Sequence, residues 1–588
     1  MANQGRWGRD LLMLSLLLGA LFGYGLGERA LWSPDEGRYA EIPREMVVSG
    51  DYITPRLNGV KYFEKPPLFY WLQSISIKLF GVNEWSLRLW TAVFAWLGCL
   101  AVYVSARRLF GRRAGLVAAV VLATSLLYYA MGRIITLDMA VSVLLSCSLL
   151  AFLWGTLEPV GPQRRVAMWA FFVFAALATL TKGLIGIVIP AMVIGSWMAL
   201  VNEWRILKSM YLFSGVALFL LIAVPWHVAV SQANPEFAEF YFIHEHLQRY
   251  LTKHRAPFHK AWAFVPVLLL GLFPWTAFLV QAIHHNLPLS WRQRQQHKEA
   301  VFLILWAGLV FVFFSVSSSK LIPYILPMFP PLAILIARYL AAAWEKEDWA
   351  GIRSGYWVFL ATSLLLVVVG LATAPHYVEG YSDAAKLAGS MYAVAAVLVL
   401  GALATLILGR HFGFRKAFLS MTATAVLMLI VMSGSLLLFD QSRSVKSLAG
   451  VLKPRLRPSD VVASYHAYYQ DLPVYLQRRV TVVGWRGELS FGAGVEDVSS
   501  WIVDDAALWQ KWNGPATVYI LVDRERYEKL RARSEHKFYP LAQTDFHVLL
   551  SNKVGPTERR HSMAPHGLAR FRFPYVLPDG EETREENI

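Results

Sequence analysis

Two adjacent acids, Asp35 and Glu36, stand in the stretch LWSPDEGRYA, just beyond a run of apolar residues. Arg38 and Tyr39 follow them directly. Farther along, Arg56 precedes the stretch VKYFEKPPLFYW, which offers Lys61, Tyr62, Glu64 and Lys65. Asp138 lies in GRIITLDMA, at the mouth of an apolar run, where a carboxylate is costly and faces protein or a water-filled cavity. FIHEHLQRY supplies His244, Glu245, His246 and Arg249, and SSSKLIPYILP supplies Lys320 and Tyr324. Lysine and arginine hold phosphate through charge-assisted hydrogen bonds, and a nearby carboxylate positions or deprotonates an acceptor. Such a set beside an apolar layer suits a site for phosphorylated lipids. Every member also has a structural alternative. Asp35 and Glu36 can cap a helix, Lys65 can reach to lipid headgroups, and Asp138 can pair with Arg133. The histidines can sit on an amphipathic surface, Lys320 can anchor a helix end, and Lys182 in TLTKG can simply end a span. Convergence on one side of a membrane is what favours a site.

That convergence depends on the elements that carry these residues. The chain of 588 residues is 56% hydrophobic and only 16% charged, with 22 Trp and 34 Phe. Apolar runs near twenty residues recur at 10–27, 86–106, 114–131, 137–156, 166–181, 184–201, 209–230, 262–283, 299–316, 321–343, 355–374, 390–408 and 417–439. Each is long enough for a hydrocarbon core of about 30 Å, which predicts about thirteen transmembrane helices. With the basic N-terminus in the cytoplasm, the inner loops read RRLFGRR, EPVGPQRR, NEWRILK, HHNLPLSWRQRQQHK, WEKEDWAGIR and GRHFGFRK. All carry two or more Lys or Arg, as the positive-inside rule requires. The opposite loops, including the large first outer loop 28–84, hold or adjoin every candidate residue above, with Asp138 and Tyr324 at the outer mouths of spans. The net charge of +16 is largely accounted for by the inner turns and does not point to nucleic acid. The only cysteines, Cys99 and Cys147, fall inside predicted spans, so no disulfide framework is available.

Beyond residue 440 the pattern changes. DVVASY, VTVVGW, TVYILV and FHVLLS read as short strands, with YQDLPVYLQRR and RERYEKLRARSE as helices between them. The fold class is therefore a polytopic α-helical membrane protein, residues 1–440, with a small soluble α/β domain, 441–555, on the outer side. Residues 556–588, rich in Arg, Glu and Pro, read as a flexible tail.

SPDEGRYAEIPREM followed by GDYITPRLNGVKYFEKPPLFYWLQ closely resembles the bacterial lipid A aminoarabinose transferases. These are GT-C glycosyltransferases that use polyprenyl-phosphate sugars, a group that includes protein O-mannosyltransferases. The likeness continues through RIITLDM, LTKG, EHLQR and SKLIPYILP, and loosely through YQDLPVYLQRR. It implies transfer of 4-amino-4-deoxy-L-arabinose from undecaprenyl phosphate to lipid A phosphate, among membrane lipids, at the periplasmic face of the inner membrane. It implies Asp35, Asp138 and Lys65 as catalytic residues. Glu36, Arg38, Tyr39, Arg56, Lys61, Tyr62, Arg249, Lys320 and Tyr324 would then bind substrate. A divalent ion, zinc or manganese, is implied near the donor phosphate, with Glu64 and His246, or His244, as ligands. The alternatives are a protein O-mannosyltransferase-like enzyme with a Ser/Thr acceptor, and a lipid flippase or transporter. A transporter places its polar residues near the bilayer midplane, whereas here they gather at one surface.

Overall fold

The computed structural model describes residues 4–248, 260–288, 290–347, 349–378 and 380–554. The expected tail, 556–588, lies outside the described residues. The chain divides into two compact units. One comprises Met1–Glu28, Phe63–Ala374 and Gly389–Ser435; the other comprises Arg29–Tyr62, Pro375–Ala388 and Leu436–Ile588. The first outer loop is thus shared out, with Asp35 through Tyr62 in the second unit and Glu64 and Lys65 in the first.

The first unit is helical. Among the described residues, nine helices of the whole chain are long and apolar enough to cross a membrane, or ten if the bent pair Phe264–Gly271 and Trp275–Asn286, which meet at 101°, makes one span. About thirteen were expected, and three local features account for the difference. The expected span 86–106 and most of 114–131 lie within the one stretch Glu84–Ala123, counted once although it is two helices meeting at a kink at Gly111, where φ is 90° and ψ is 171°. Ile185–Val201, at 17 residues, is short. The first apolar run forms Gln4–Gly23, whose opening turns are polar. That helix carries Asp10, 1% exposed, which accepts hydrogen bonds from Arg107 at 2.7 Å, from Arg112 at 2.6 Å and from Tyr103 at 3.1 Å. A buried carboxylate survives only with such partners.

Two helices of this unit end at candidate residues. Leu137–Leu157 begins where the Thr136 hydroxyl accepts from the backbone N–H of Asp138 at 3.4 Å. Pro162–Lys182 starts on a proline, whose missing N–H costs nothing there, and stops at Gly183, where φ is 79°. A side chain at that left-handed position would be strained, so the glycine turns the chain just after Lys182.

The second unit is built on a six-stranded sheet in the order β5-β4-β3-β6-β8-β7. Its strands are β3 (Val461–Tyr465), β4 (Thr481–Val483), β5 (Ile502–Val503), β6 (Val518–Asp523), β7 (Tyr539–Gln543) and β8 (His547–Ser551). The first four are parallel, and β8 pairs antiparallel with both β6 and β7. The centre packs Ala463, Val483, Leu508, Trp512, Ile520, Val522 and Leu550. Strands buried on both faces read as continuous apolar runs, which is why the parallel strands β3, β4 and β6 and the fully buried antiparallel strand β8 are legible in the sequence. The strands β5 and β7 are not. One has two residues, and the other contains Pro540, which an edge strand tolerates and a central one does not. A hairpin of β1 (Arg56–Leu57) and β2 (Val60–Lys61) also belongs to this unit, turning through Asn58 and Gly59 at φ 53° and 80°.

Candidate active site

In the second unit the candidate residues sit on the helix Asp35–Ser49 and on the hairpin after it. Its first two residues behave differently. Glu36 is buried, accepts from the Trp32 backbone N–H at 3.0 Å, and pairs with Arg29 at 2.7 Å. It ties down the chain entering the helix. Asp35 has no capping role: the cap position is Pro34, and no side chain caps the helix. Its carboxylate is 55% exposed, with the Arg38 guanidinium 3.1 Å away. The capping alternative therefore fails for Asp35.

Arg38 lies between two carboxylates, Asp35 and Glu488. Burial works against its charge, but the Glu488 carboxylate outweighs that and, with Asp35, holds it firmly protonated. Its carbon Cζ stands 5.7 Å from the centre of the buried Tyr39 ring. Arg56 makes a two-pronged pair with Glu496, at 3.1 and 3.0 Å, and donates to the Gly59 carbonyl at 2.9 Å. The backbone N–H of Lys61 reaches the same Glu496 carboxylate at 3.1 Å. Tyr62 is 2% exposed. Deeper in the helix, Glu41 is fully buried against Arg44 at 2.5 and 2.6 Å. Burial pushes its carboxyl up, against the pull of Arg44.

The first unit brings together a second set. Asp138 pairs with Lys182, across from the end of one helix to the end of another. The Lys182 ammonium also lies 4.6 Å from the centre of the Tyr324 ring. The alternative pairing of Asp138 with Arg133 is corrected: Arg133 donates to the Phe22 carbonyl at 3.1 Å and lies over Tyr129. Lys182 was set aside in the sequence as a span end, and it is the residue that sequence reasoning missed. The signal was a lysine set directly before a turning glycine within an otherwise apolar stretch. Lys320 curls back to donate to the Ser317 carbonyl at 2.5 Å. Lys65 donates to the Glu64 carbonyl at 2.8 Å, with its ammonium 4.0 Å from the Glu64 carboxylate, and both side chains are largely buried.

Among the described residues no group of three or more His, Cys, Asp or Glu is placed to hold a metal ion. Glu64 is the partner of an ammonium, and His244 is exposed beside the Phe240 ring, 6.2 Å between centres. These two do not make a metal site by themselves. Arg249 lies outside the described residues, as does the side chain of His246.

With this geometry in view, comparisons with known proteins are informative. Residues 64–228 match the family described as dolichyl-phosphate-mannose-protein mannosyltransferase. Residues 448–551 match the aminoarabinose transferase C-terminal domain. An undecaprenyl phosphate-alpha-4-amino-4-deoxy-L-arabinose arabinosyl transferase of Erwinia tasmaniensis is 33% identical over 65% of this chain and 69% of its own. The Aeromonas salmonicida protein of the same description is 35% identical over 64% of this chain and 69% of its own. The crystal structure of ArnT from Cupriavidus metallidurans bound to undecaprenyl phosphate superposes with a TM-score of 0.80 at 30% identity, covering 94% of this chain and 99% of the other.

Proposed function

The chain belongs to the family of undecaprenyl phosphate-aminoarabinose arabinosyl transferases, and from that premise we propose how its own residues carry the reaction. It is a multi-span membrane glycosyltransferase that moves 4-amino-4-deoxy-L-arabinose from undecaprenyl phosphate to lipid A phosphate. The observation that carries this is the end-to-end likeness to a transferase whose crystal structure holds undecaprenyl phosphate. The Ser/Thr-acceptor alternative rests on one segment of the chain, whereas the aminoarabinose transferases match over most of it.

An oxygen of the acceptor phosphate attacks the anomeric carbon, and the bond from that carbon to the donor phosphate breaks. Positive charge grows on the sugar while negative charge returns to the undecaprenyl phosphate. Fixed cations at the departing phosphate are then the chief catalytic device. In the first unit that role falls to Lys65, with Lys320, Tyr324 and Arg249 as further phosphate ligands. Asp138 holds Lys182 in place and keeps the local charge balanced. A lipid A phosphate is already anionic near neutral pH, so Asp35 orients the acceptor or engages the amino group of the sugar, with no need for strong base catalysis. The binding assignments of Glu36 and Arg56 change in kind, because each is committed to an ion pair and shapes the surroundings.

The orientation proposed from the basic loops places Asp35 and the sheet domain in the periplasm, with the protein in the inner membrane. A zinc or manganese ion held by Glu64 and His246 remains a proposal. Metal analysis of purified wild type beside Glu64→Gln and His246→Ala tests it, and equal metal content in all three rejects it. The reaction itself is tested by mass spectrometry of lipid A from a host lacking its own transferase, with and without this gene. A mass increment of one aminoarabinose is expected. Unmodified lipid A alongside O-mannosylated protein would transfer the assignment to the alternative.

A further inference from the structure

The stretch of chain that delivers Asp35 is held at nearly every residue by the C-terminal part of its own unit. The Ala30 N–H and the Trp32 indole each donate to Asp440 at 2.8 Å, and the Leu31 N–H reaches the Tyr475 hydroxyl at 2.7 Å. The Ser33 N–H meets the Arg443 carbonyl at 2.9 Å, and its hydroxyl donates to Asp471 at 2.6 Å. Asp471 is wholly buried and also accepts from the Ser444 hydroxyl at 2.6 Å and the Val445 N–H at 2.8 Å. Two residues past Asp35, Gly37 lies so close to Gln470 and Asp471 that an added Cβ would come within 2.4 Å of the Asp471 nitrogen.

One residue further, the contacts turn electrostatic. Arg38 binds Asp35 with one nitrogen and Glu488 with another. Gln470 donates to the second oxygen of Glu488 at 2.8 Å, which fixes the carboxylate against rotation. The side chains of Arg38 and Glu488 are 17% and 10% exposed, while Asp35 is 55% exposed. The chain Gln470–Glu488–Arg38–Asp35 therefore runs from a rigid interior to an accessible carboxylate. The Asp440 and Asp471 bonds hold residues 30–33 through both backbone and side chains, and the Glu488 ion pair holds the Arg38 side chain.

We infer that Glu488 and Asp471 are positioning residues for Asp35: the sheet domain serves catalysis by fixing where that carboxylate stands. The inference rests on the proposed catalytic role of Asp35. It makes Arg38 the link between the two carboxylates, with Nη1 at Asp35 and Nε at Glu488. Small misplacement of a reacting group is costly; about 1 Å can lose roughly a hundredfold in rate. A positioning defect lowers kcat and leaves the donor KM in place, since binding in ground and transition states is not equally affected.

The test uses the full-length protein in detergent, with undecaprenyl-phosphate-linked aminoarabinose and lipid A as substrates. Glu488→Gln keeps the bond from Gln470 but removes the charge that holds Arg38. It should lower kcat by about tenfold or more with the donor KM within about twofold. In an Arg38→Gln background the same substitution should add little, because the two act through one chain of contacts. Gly37→Ala, which forces the helix off Gln470, should give the same kcat loss without touching any charge. Glu525→Gln, on an exposed helix of the same domain with its side chain 77% exposed, should leave turnover unchanged. Asp35→Asn is measured alongside. If it is inactive while Glu488→Gln and Gly37→Ala both retain full kcat, the positioning inference is overturned and the Asp35 assignment stands. If Glu488→Gln raises the donor KM at constant kcat, Arg38 contacts donor and the inference is overturned. An active Asp35→Asn removes the premise itself.

Discussion

Asp35 and Asp138 are both carboxylates at the ends of helices, yet they are engaged in opposite ways. Asp35 is open to solvent beside Arg38, so Asp35→Asn removes a charge without disturbing packing. Expression and membrane insertion should be normal and transfer abolished; retained transfer would return Asp35 to an ordinary surface acid. Asp138 is enclosed with Lys182, and breaking such a pair from one side leaves an uncompensated buried charge, a cost on the order of 3 kcal/mol. Asp138→Asn and Lys182→Met should each lower the melting temperature and the activity. The double substitution should regain most of the melting temperature while remaining inactive, and recovery of activity with it would make the pair purely structural. Lys65 and Lys61 can be separated in the same way. Lys65 is held against Glu64 and is mostly buried, so Lys65→Ala should cost tenfold or more in turnover. Lys61→Ala should cost little, and equal small losses would point to general attraction for lipid headgroups.

At the scale of elements, the sheet carries a pH dependence of its own. His547 opens β8, with the Tyr469 ring set edge-on at 5.2 Å between centres. Burial pushes its imidazole down to about 4, against opposing help from Asp523. The folded value lies below the unfolded value of 6.5, so the unfolded chain takes the proton first. The stability contribution is complete above 6.5 and is lost as pH falls towards 4, roughly 3 kcal/mol over that window. Thermal unfolding of the full-length protein from pH 7.5 to 4.5 should show this loss, and His547→Gln should flatten it. An unchanged slope in the variant would place the acid sensitivity elsewhere. Strand β7 teaches a different lesson: Pro540 hid it from any search for uninterrupted β-branched runs, although pairing with β8 on one side only makes a proline harmless there.

For the whole molecule the central expectation concerns sidedness. Reporter fusions at Ser290 and Arg560 should report cytoplasm for the first and periplasm for the second, because the arginine and lysine bias alternates loop by loop. A cytoplasmic signal at Arg560 would reverse the orientation and remove the periplasmic reaction with it. The two compact units do not follow the division at residue 440 that composition suggests. Residues 29–62 and 375–388 leave the helical unit for the sheet unit. Composition responds to local hydropathy, whereas a compact unit is defined by which segments bury one another.

The same distinction separates what was legible in the sequence from what was not. Apolar run lengths determined a membrane protein, because a hydrocarbon layer accepts only helices of sufficient length from such stretches. Alternating basic loops determined the proposed orientation, and short β-branched runs determined four of the sheet strands. The residue types of SPDEGRY, YFEKPP and TLDM suited a site for phosphorylated lipids, since phosphate needs cations, while sugar transfer was implied only by the family resemblance of those stretches. Pairing was decided only in three dimensions. Asp138 chose Lys182, 44 residues away, over Arg133 nearby, because two helix ends meet there. Arg56 and Arg38 were taken by Glu496 and Glu488, more than 400 residues further along. A buried charge is satisfied by whichever partner the fold brings within hydrogen-bond reach, and sequence distance carries no information about that.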